Sequence, residues 1–132
     1  MKSITPRRLL LLALLAPFFT LTASADDPVV DNGIYYTLVP KAKIATVTTC
    51  QNGKYFGPIV IPPAITISGT TYSVVGIEDN AFLSSYDVTS VIIPNSVTNI
   101  GKGAFGGCGN LTSVNIPNSV TSIGGSTFSN CI

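Results

Sequence analysis

The last 45 residues state one 23-residue unit twice. Val91, Ile93, Pro94, Asn95, Val97, Ile100, Gly101, Phe105 and Cys108 recur in order as Val114, Ile116, Pro117, Asn118, Val120, Ile123, Gly124, Phe128 and Cys131. Aligning 88–109 with 111–132 gives 13 identities in 22 positions. A chain that repeats its apolar positions at a period of roughly 20 to 29 residues coils into a solenoid, in which each turn stacks only on its neighbours. The expected fold class is therefore mainly β with short helical or 3₁₀ turns, arranged as a short leucine-rich-repeat solenoid. It should hold about three 23-residue rungs and an N-terminal β-hairpin cap.

Each unit reads in physical terms. In Leu111–Pro117, Val114 and Ile116 alternate with Ser113 and Asn115, the period-two pattern of a half-buried strand. Pro117 ends that strand because it lacks the amide for another ladder bond. Asn118-Ser119 turns the chain, Val120 and Ile123 return to the core, and Gly124-Gly125 turns it again. Ser126–Cys131 is too short for a full helix, and we expect one turn of 3₁₀ or α geometry there. Rungs are assigned to 59–87, 88–110 and 111–132. The first is modified, because Ile59-Val60-Ile61-Pro62 precedes Val91-Ile92-Ile93-Pro94 by 32 residues, whereas Val74, Ile77 and Phe82 return to an offset of 23. The extra residues predict a hairpin across Ser68-Gly69. Ser85 stands where the later rungs carry cysteine, in what should be a partly open turn. Residues 26–58 are expected to cap the first rung with a hairpin over 34–39 and 43–49, its core formed by Tyr35, Tyr36, Tyr55 and Phe56.

Residues 1–25 form a signal peptide by composition. Lys2, Arg7 and Arg8 precede the apolar run 9–21, and Ala23-Ser24-Ala25 offers a cleavage site. Removing them leaves 4 basic against 6 acidic residues, so no basic footprint remains for nucleic acid or an anionic membrane. No membrane span is expected after cleavage. The expected location is secreted or cell-surface, with the periplasm open. Export permits disulfides, but Cys50, Cys108 and Cys131 are an odd number. Cys108 and Cys131 share one repeat position, about 4.8 Å apart on adjacent rungs, and we expect stacked buried thiols there rather than a disulfide.

The strings TSVIIPNSVTNIGKGAFGGC and LTSVNIPNSVTSIGGSTFSNC resemble the BspA-like leucine-rich repeat, which runs L-x-x-V-x-I-P, an apolar residue, I-G, A-F and a cysteine. The resemblance covers 59–132, and IVIPPAITISGTTYSVVGIEDNAF is similar to that family's hairpin-bearing first repeat. Thr127 departs from the pattern by replacing the alanine. The resemblance implies a curved solenoid with a parallel concave sheet. It also implies an exported or surface-displayed protein of bacteria, some relatives of which bind extracellular-matrix or plasma proteins such as fibronectin and fibrinogen.

Chemistry-bearing residues are scarce. The chain has no histidine, which removes the commonest general base and metal ligand. Glu78 and Asp79 are adjacent and read as a solvated turn rather than a carboxylate pair, and the cysteines lack a zinc-site spacing. No enzyme activity, cofactor or metal is expected. Function then falls on exposed surface, and the concave-face positions Val60, Ser90, Ile92, Ser113 and Asn115 are the candidate protein-binding residues. The expected role is a non-enzymatic module for adhesion or host- or neighbouring-cell interaction. The alternative is a structural stalk, or the N-terminal fragment of a longer repeat array with no binding role of its own. An uncapped C-terminal rung would also offer a surface for self-association.

Overall fold

The computed structural model describes residues 27–132; the signal peptide expected over 1–25 lies outside them. Ten strands follow in order: β1 (Val29–Asp31), β2 (Ile34–Val39), β3 (Ile44–Val47), β4 (Phe56–Val60), β5 (Ala64–Ile67), β6 (Thr70–Ile77), β7 (Asp87–Ile92), β8 (Asn99–Ile100), β9 (Ser113–Asn115) and β10 (Ser122–Ile123). They form two sheets. β4, β7 and β9, one from each rung, make a three-stranded parallel sheet. The other is mixed, in the order β1-β2-β3-β6-β8-β10 with β5 also paired to β6.

Turn chemistry sets the antiparallel pairs. Asn32 and Gly33, with φ of 47° and 81°, join β1 to β2; Ser68 and Gly69, with 49° and 81°, join β5 to β6. Left-handed conformations at both central residues match the twist of a two-residue hairpin. The β2–β3 hairpin then passes to parallel pairing, since β3 lies beside β6 with an irregularity between Ala45 and Thr46.

The core runs between the sheets as ladders of equivalent residues. Ile61 and Ile93, Val74 and Val97, Ile77 and Ile100 are all buried. The rings of Phe82, Phe105 and Phe128 stack at centroid spacings of 5.0 and 5.5 Å. Tyr55 ends this aromatic column at 4.5 Å from Phe82. Its hydroxyl donates to the Thr48 carbonyl at 2.6 Å and accepts the Tyr35 amide at 3.0 Å. Burial raises the pKa of the Tyr55 phenol well above its ordinary value, the Tyr35 amide acting in the opposite sense.

Rungs approach most closely at two repeat glycines. A Cβ on Gly101 would fall 2.4 Å from the Asp79 backbone nitrogen, and one on Gly124 would fall 2.4 Å from that of Lys102. Side-chain acceptors close the same seam, with the Lys102 amide donating to Asp79 Oδ1 at 2.7 Å. Glu78 Oε1 accepts the Thr46 hydroxyl at 2.6 Å. The adjacent carboxylates thus serve two different structural contacts.

The helical or 3₁₀ turns expected in each rung are absent: among the described residues there is no helix of any kind. The hydrogen bonds explain why. The amides of Ala81, Leu83 and Ser85 bond within their own turn, to the carbonyls of Glu78, Asn80 and Phe82. The intervening amides of Asn80, Phe82 and Ser84 instead cross to the next rung, to the carbonyls of Lys102, Ala104 and Gly106. The second rung repeats the scheme: Gly103, Phe105 and Gly107 cross to Gly125, Thr127 and Ser129. A helix needs consecutive amides bonded along one chain. Positive φ at Asn80 and Ser84, at Gly103 and Gly107, and at Ser126 and Asn130 breaks the helical path twice per rung.

Two smaller expectations also change. Ser85 is 1% exposed, so its turn is closed rather than open. Phe56, assigned to the cap core, is 76% exposed. It immediately follows buried Tyr55, and strand alternation turns it outward.

Candidate functional site

Strand alternation places the candidate residues. In β4 and β7, Ile59 and Val91 point into the core, so their neighbours point out. Register aligns those neighbours across the rungs: Val60 pairs with Ile92 and Ile92 with Asn115, while Pro58 pairs with Ser90 and Ser90 with Ser113. The five sequence-derived positions, Val60, Ser90, Ile92, Ser113 and Asn115, therefore lie together on the outward face of the three-stranded sheet. Val60 is 61% and Ile92 51% exposed.

Sequence reasoning missed Phe56 and Pro58, which lie on the same strand as Val60 at two-residue steps. The β-irregularity between Gly57 and Pro58 conceals this, because it changes the offset from β7 partway along the strand. The missed signal was the alternation itself: Phe56, Pro58 and Val60 are exposed and Ile59 is buried. Pro58 also belongs on an outer strand, since β4 is an edge of its sheet and a proline there leaves no inner ladder amide missing.

The face is apolar at its β4 side and becomes hydroxyl- and amide-bearing toward β9. Across all three strands Asp87 is the single ionisable residue. Such a surface has almost no long-range field, so contact area and shape would govern recognition. A recess of about 390 Å³ beside β4, lined by Ile34, Tyr55, Phe56 and Val60 together with Asn32 and Lys54, extends the face toward the β1–β2 turn.

The remaining chemistry is structural. The Cys108 thiol donates to the Phe82 carbonyl at 3.1 Å and the Cys131 thiol to the Phe105 carbonyl at 3.0 Å. All three cysteines are free thiols. Burial, with Cys131 as a lesser contributor, pushes the Cys108 thiol up to about 11, the opposite of an activated nucleophile. Thr127, which replaces the repeat alanine, is buried but bonds the Gly124 and Gly101 carbonyls at 2.6 and 3.1 Å. Among the described residues no group of three or more His, Cys, Asp or Glu side chains is placed to hold a metal ion. Nor is any helix there long and apolar enough to cross a membrane.

Repeating strands, ladder residues and close-approach glycines define a leucine-rich-repeat solenoid with an exposed parallel sheet. The family described as BspA type leucine rich repeat region (6 copies) matches residues 65–132, and the chain belongs to that family. Repeat regions of this family are non-catalytic. A leucine-rich repeat protein from Bacteroides ovatus has a similar structure, with 35% identity, a TM-score of 0.72, and coverage of 78% of this chain and 27% of that one. A leucine rich cell surface protein from Faecalibacterium prausnitzii shows 31% identity and a TM-score of 0.66, covering 83% of this chain and 29% of that one. For a leucine-rich repeat protein from Bacteroides capillosus the values are 26%, 0.62, 73% and 70%. The chain thus spans under a third of the length of the first two structures. No curated protein matches it.

Proposed function

We propose that the chain is an exported, surface-displayed interaction module that binds a protein partner through the outward face of β4, β7 and β9. The observation that carries this reading is the clustering of exposed Phe56, Val60 and Ile92 on a rigid sheet face with one ionisable group. An exposed aromatic residue beside apolar side chains, with few charges, matches the aromatic enrichment and charge depletion of interface centres. Export is supported by the leader composition of residues 1–25 and by the cell-surface description of the Faecalibacterium protein. The partner class suggested by the family resemblance is an extracellular-matrix or plasma protein.

Size sets the expected strength. A stable protein interface buries about 800 Å² on each side, more than seven side chains on three short strands supply. This face would therefore form the centre of a weak contact, or one part of a longer repeat surface.

The test measures binding to immobilised fibronectin and fibrinogen. Replacing Ser90, Ile92, Ser113 and Asn115 with bulky charged residues should abolish saturable binding and leave thermal unfolding unchanged. Binding that persists in the folded variant would reject this face. If the unaltered protein shows no saturable binding to either, the adhesion reading is rejected and a spacer role within a longer array gains support. The proposal extends to a second copy meeting the third rung, where Ile116, Ile123 and Phe128 are partly exposed. Sedimentation should then show a concentration-dependent dimer, and a strict monomer at high concentration would remove that part.

A further inference from the structure

Four turn positions of the second rung lack side chains although both neighbouring rungs have them. Asn80, Leu83, Ser84 and Tyr86 correspond to Gly103, Gly106, Gly107 and Gly109, and these to Ser126, Ser129, Asn130 and Ile132. The space forms a groove of about 880 Å³, floored by the second rung and walled by the first and third. It lies on the turn side of the solenoid and shares no residue with the outward sheet face.

At three of the four positions the fold does not require glycine. Gly103 and Gly107 have φ of 63° and 72°, but Asn80, Ser84, Ser126 and Asn130 hold 58° to 59° at the equivalent places. A Cβ on Gly107 or Gly109 would make ordinary contacts at 3.4 and 3.6 Å. On Gly103 it would meet only the movable amide of Asn80, at 2.7 Å. The groove is what the missing side chains leave, and refilling it should not disturb the backbone.

Its walls carry both apolar and hydrogen-bonding groups. On one side stands Tyr86, 60% exposed, with ring atom Cδ1 beside Gly109. The third rung adds Ser126, Ser129, Asn130 and the apolar Ile132, and Asn110 belongs to the same lining. Lys102 is the one charged lining residue. A pyranose matches this lining, because its C–H face can stack on an aromatic ring while its hydroxyls meet amides that both donate and accept. An added peptide strand would need free backbone groups. Here the Gly103, Phe105 and Gly107 amides are already committed to the third rung.

We propose that this groove binds a neutral oligosaccharide, with Tyr86 as the stacking platform and Asn110 and Asn130 as hydrogen-bonding partners. The test titrates maltohexaose, cellohexaose and chitohexaose into the folded chain and follows amide and side-chain NMR shifts. At least one sugar should give saturable shifts centred on Tyr86, Asn110 and Asn130. A double variant, Gly103→Ser with Gly107→Asn, places the third rung's own residues in the groove. It should stay cooperatively folded, its unfolding temperature lowered by no more than the left-handed strain of two non-glycine residues, and lose affinity by at least about tenfold, as should Tyr86→Ala. Ile92→Glu, which alters the other face, should keep full sugar affinity; loss there would count against the assignment. No saturable shift with any of the three sugars, undiminished affinity in the folded double variant, or binding of an extended peptide but no sugar would overturn it.

Discussion

The aromatic column makes stability depend on position within it. Phe105 is fully buried and stacked on both sides, by Phe82 at 5.0 Å and Phe128 at 5.5 Å. Phe128 is 38% exposed and touches the column on one side. Truncating a buried phenylalanine to alanine costs about 3 to 5 kcal/mol through lost transfer energy and the cavity left behind. Each lost aromatic pair accounts for about 0.5 to 1.5 kcal/mol beyond area. With the pair terms taken as part of the measured truncation cost, Phe105→Ala should lose about 4 to 5 kcal/mol, and Phe128→Ala about 2 to 3 after scaling for its exposure. Domains of this size are stable by roughly 5 to 15 kcal/mol, so the first variant approaches the limit of folding and the second does not. Urea titration at constant pH, with free energies extrapolated to water, reads both. Losses that agree within about 0.5 kcal/mol, or a Phe105→Ala loss below about 2, would refute the stacked-column reasoning.

Adjacent glycines offer a paired test of rung contact: Gly124→Ala should destabilise by about 1 to 3 kcal/mol through overlap with the Lys102 backbone. Gly125→Ala, which meets nothing within 4 Å, should stay within about 0.5 in the same denaturation assay. Tyr55→Phe leaves the Thr48 carbonyl and Tyr35 amide without their partner, for an expected loss of about 1 to 3 kcal/mol, and an unchanged midpoint would contradict that bond pair. The Cys108 thiol keeps its proton to about 11 in the folded chain against an ordinary 9.0. Its contribution is therefore complete below pH 9 and declines as pH rises toward 11, by roughly 2 kcal/mol. Denaturation across that window should show a smaller decline in Cys108→Ala, and equal declines would contradict the assignment.

The ladder positions were legible because they repeat at a fixed interval and each has a local reason, such as Pro94 and Pro117 after their strands. The β5–β6 hairpin was legible from Ser68-Gly69 between β-branched arms. The form of the turns was not. Whether Phe105 begins a helix depends on its amide crossing to Thr127, a partner 22 residues away that no local window contains. Tyr55 heads the phenylalanine column at an offset of 27 from Phe82, outside the repeat register, so spacing alone hid its role. The five candidate face residues were legible from period-two alternation. Phe56 was missed although its two-residue steps to Pro58 and Val60 carried the sign, because the adjacent aromatic Tyr55 masks the alternation.

The central claim is that stability resides in nearest-neighbour contact between equivalent rungs. Inserting a second copy of residues 88–110 between Asn110 and Leu111 tests it directly by urea denaturation. The added rung should present to each neighbour the surface it already packs against, so unfolding should stay cooperative with no fall in midpoint. The denaturant slope should rise by about a fifth, in proportion to the added chain. An unchanged slope, a lower midpoint, or a separate transition for the inserted segment would contradict the rung-on-rung account.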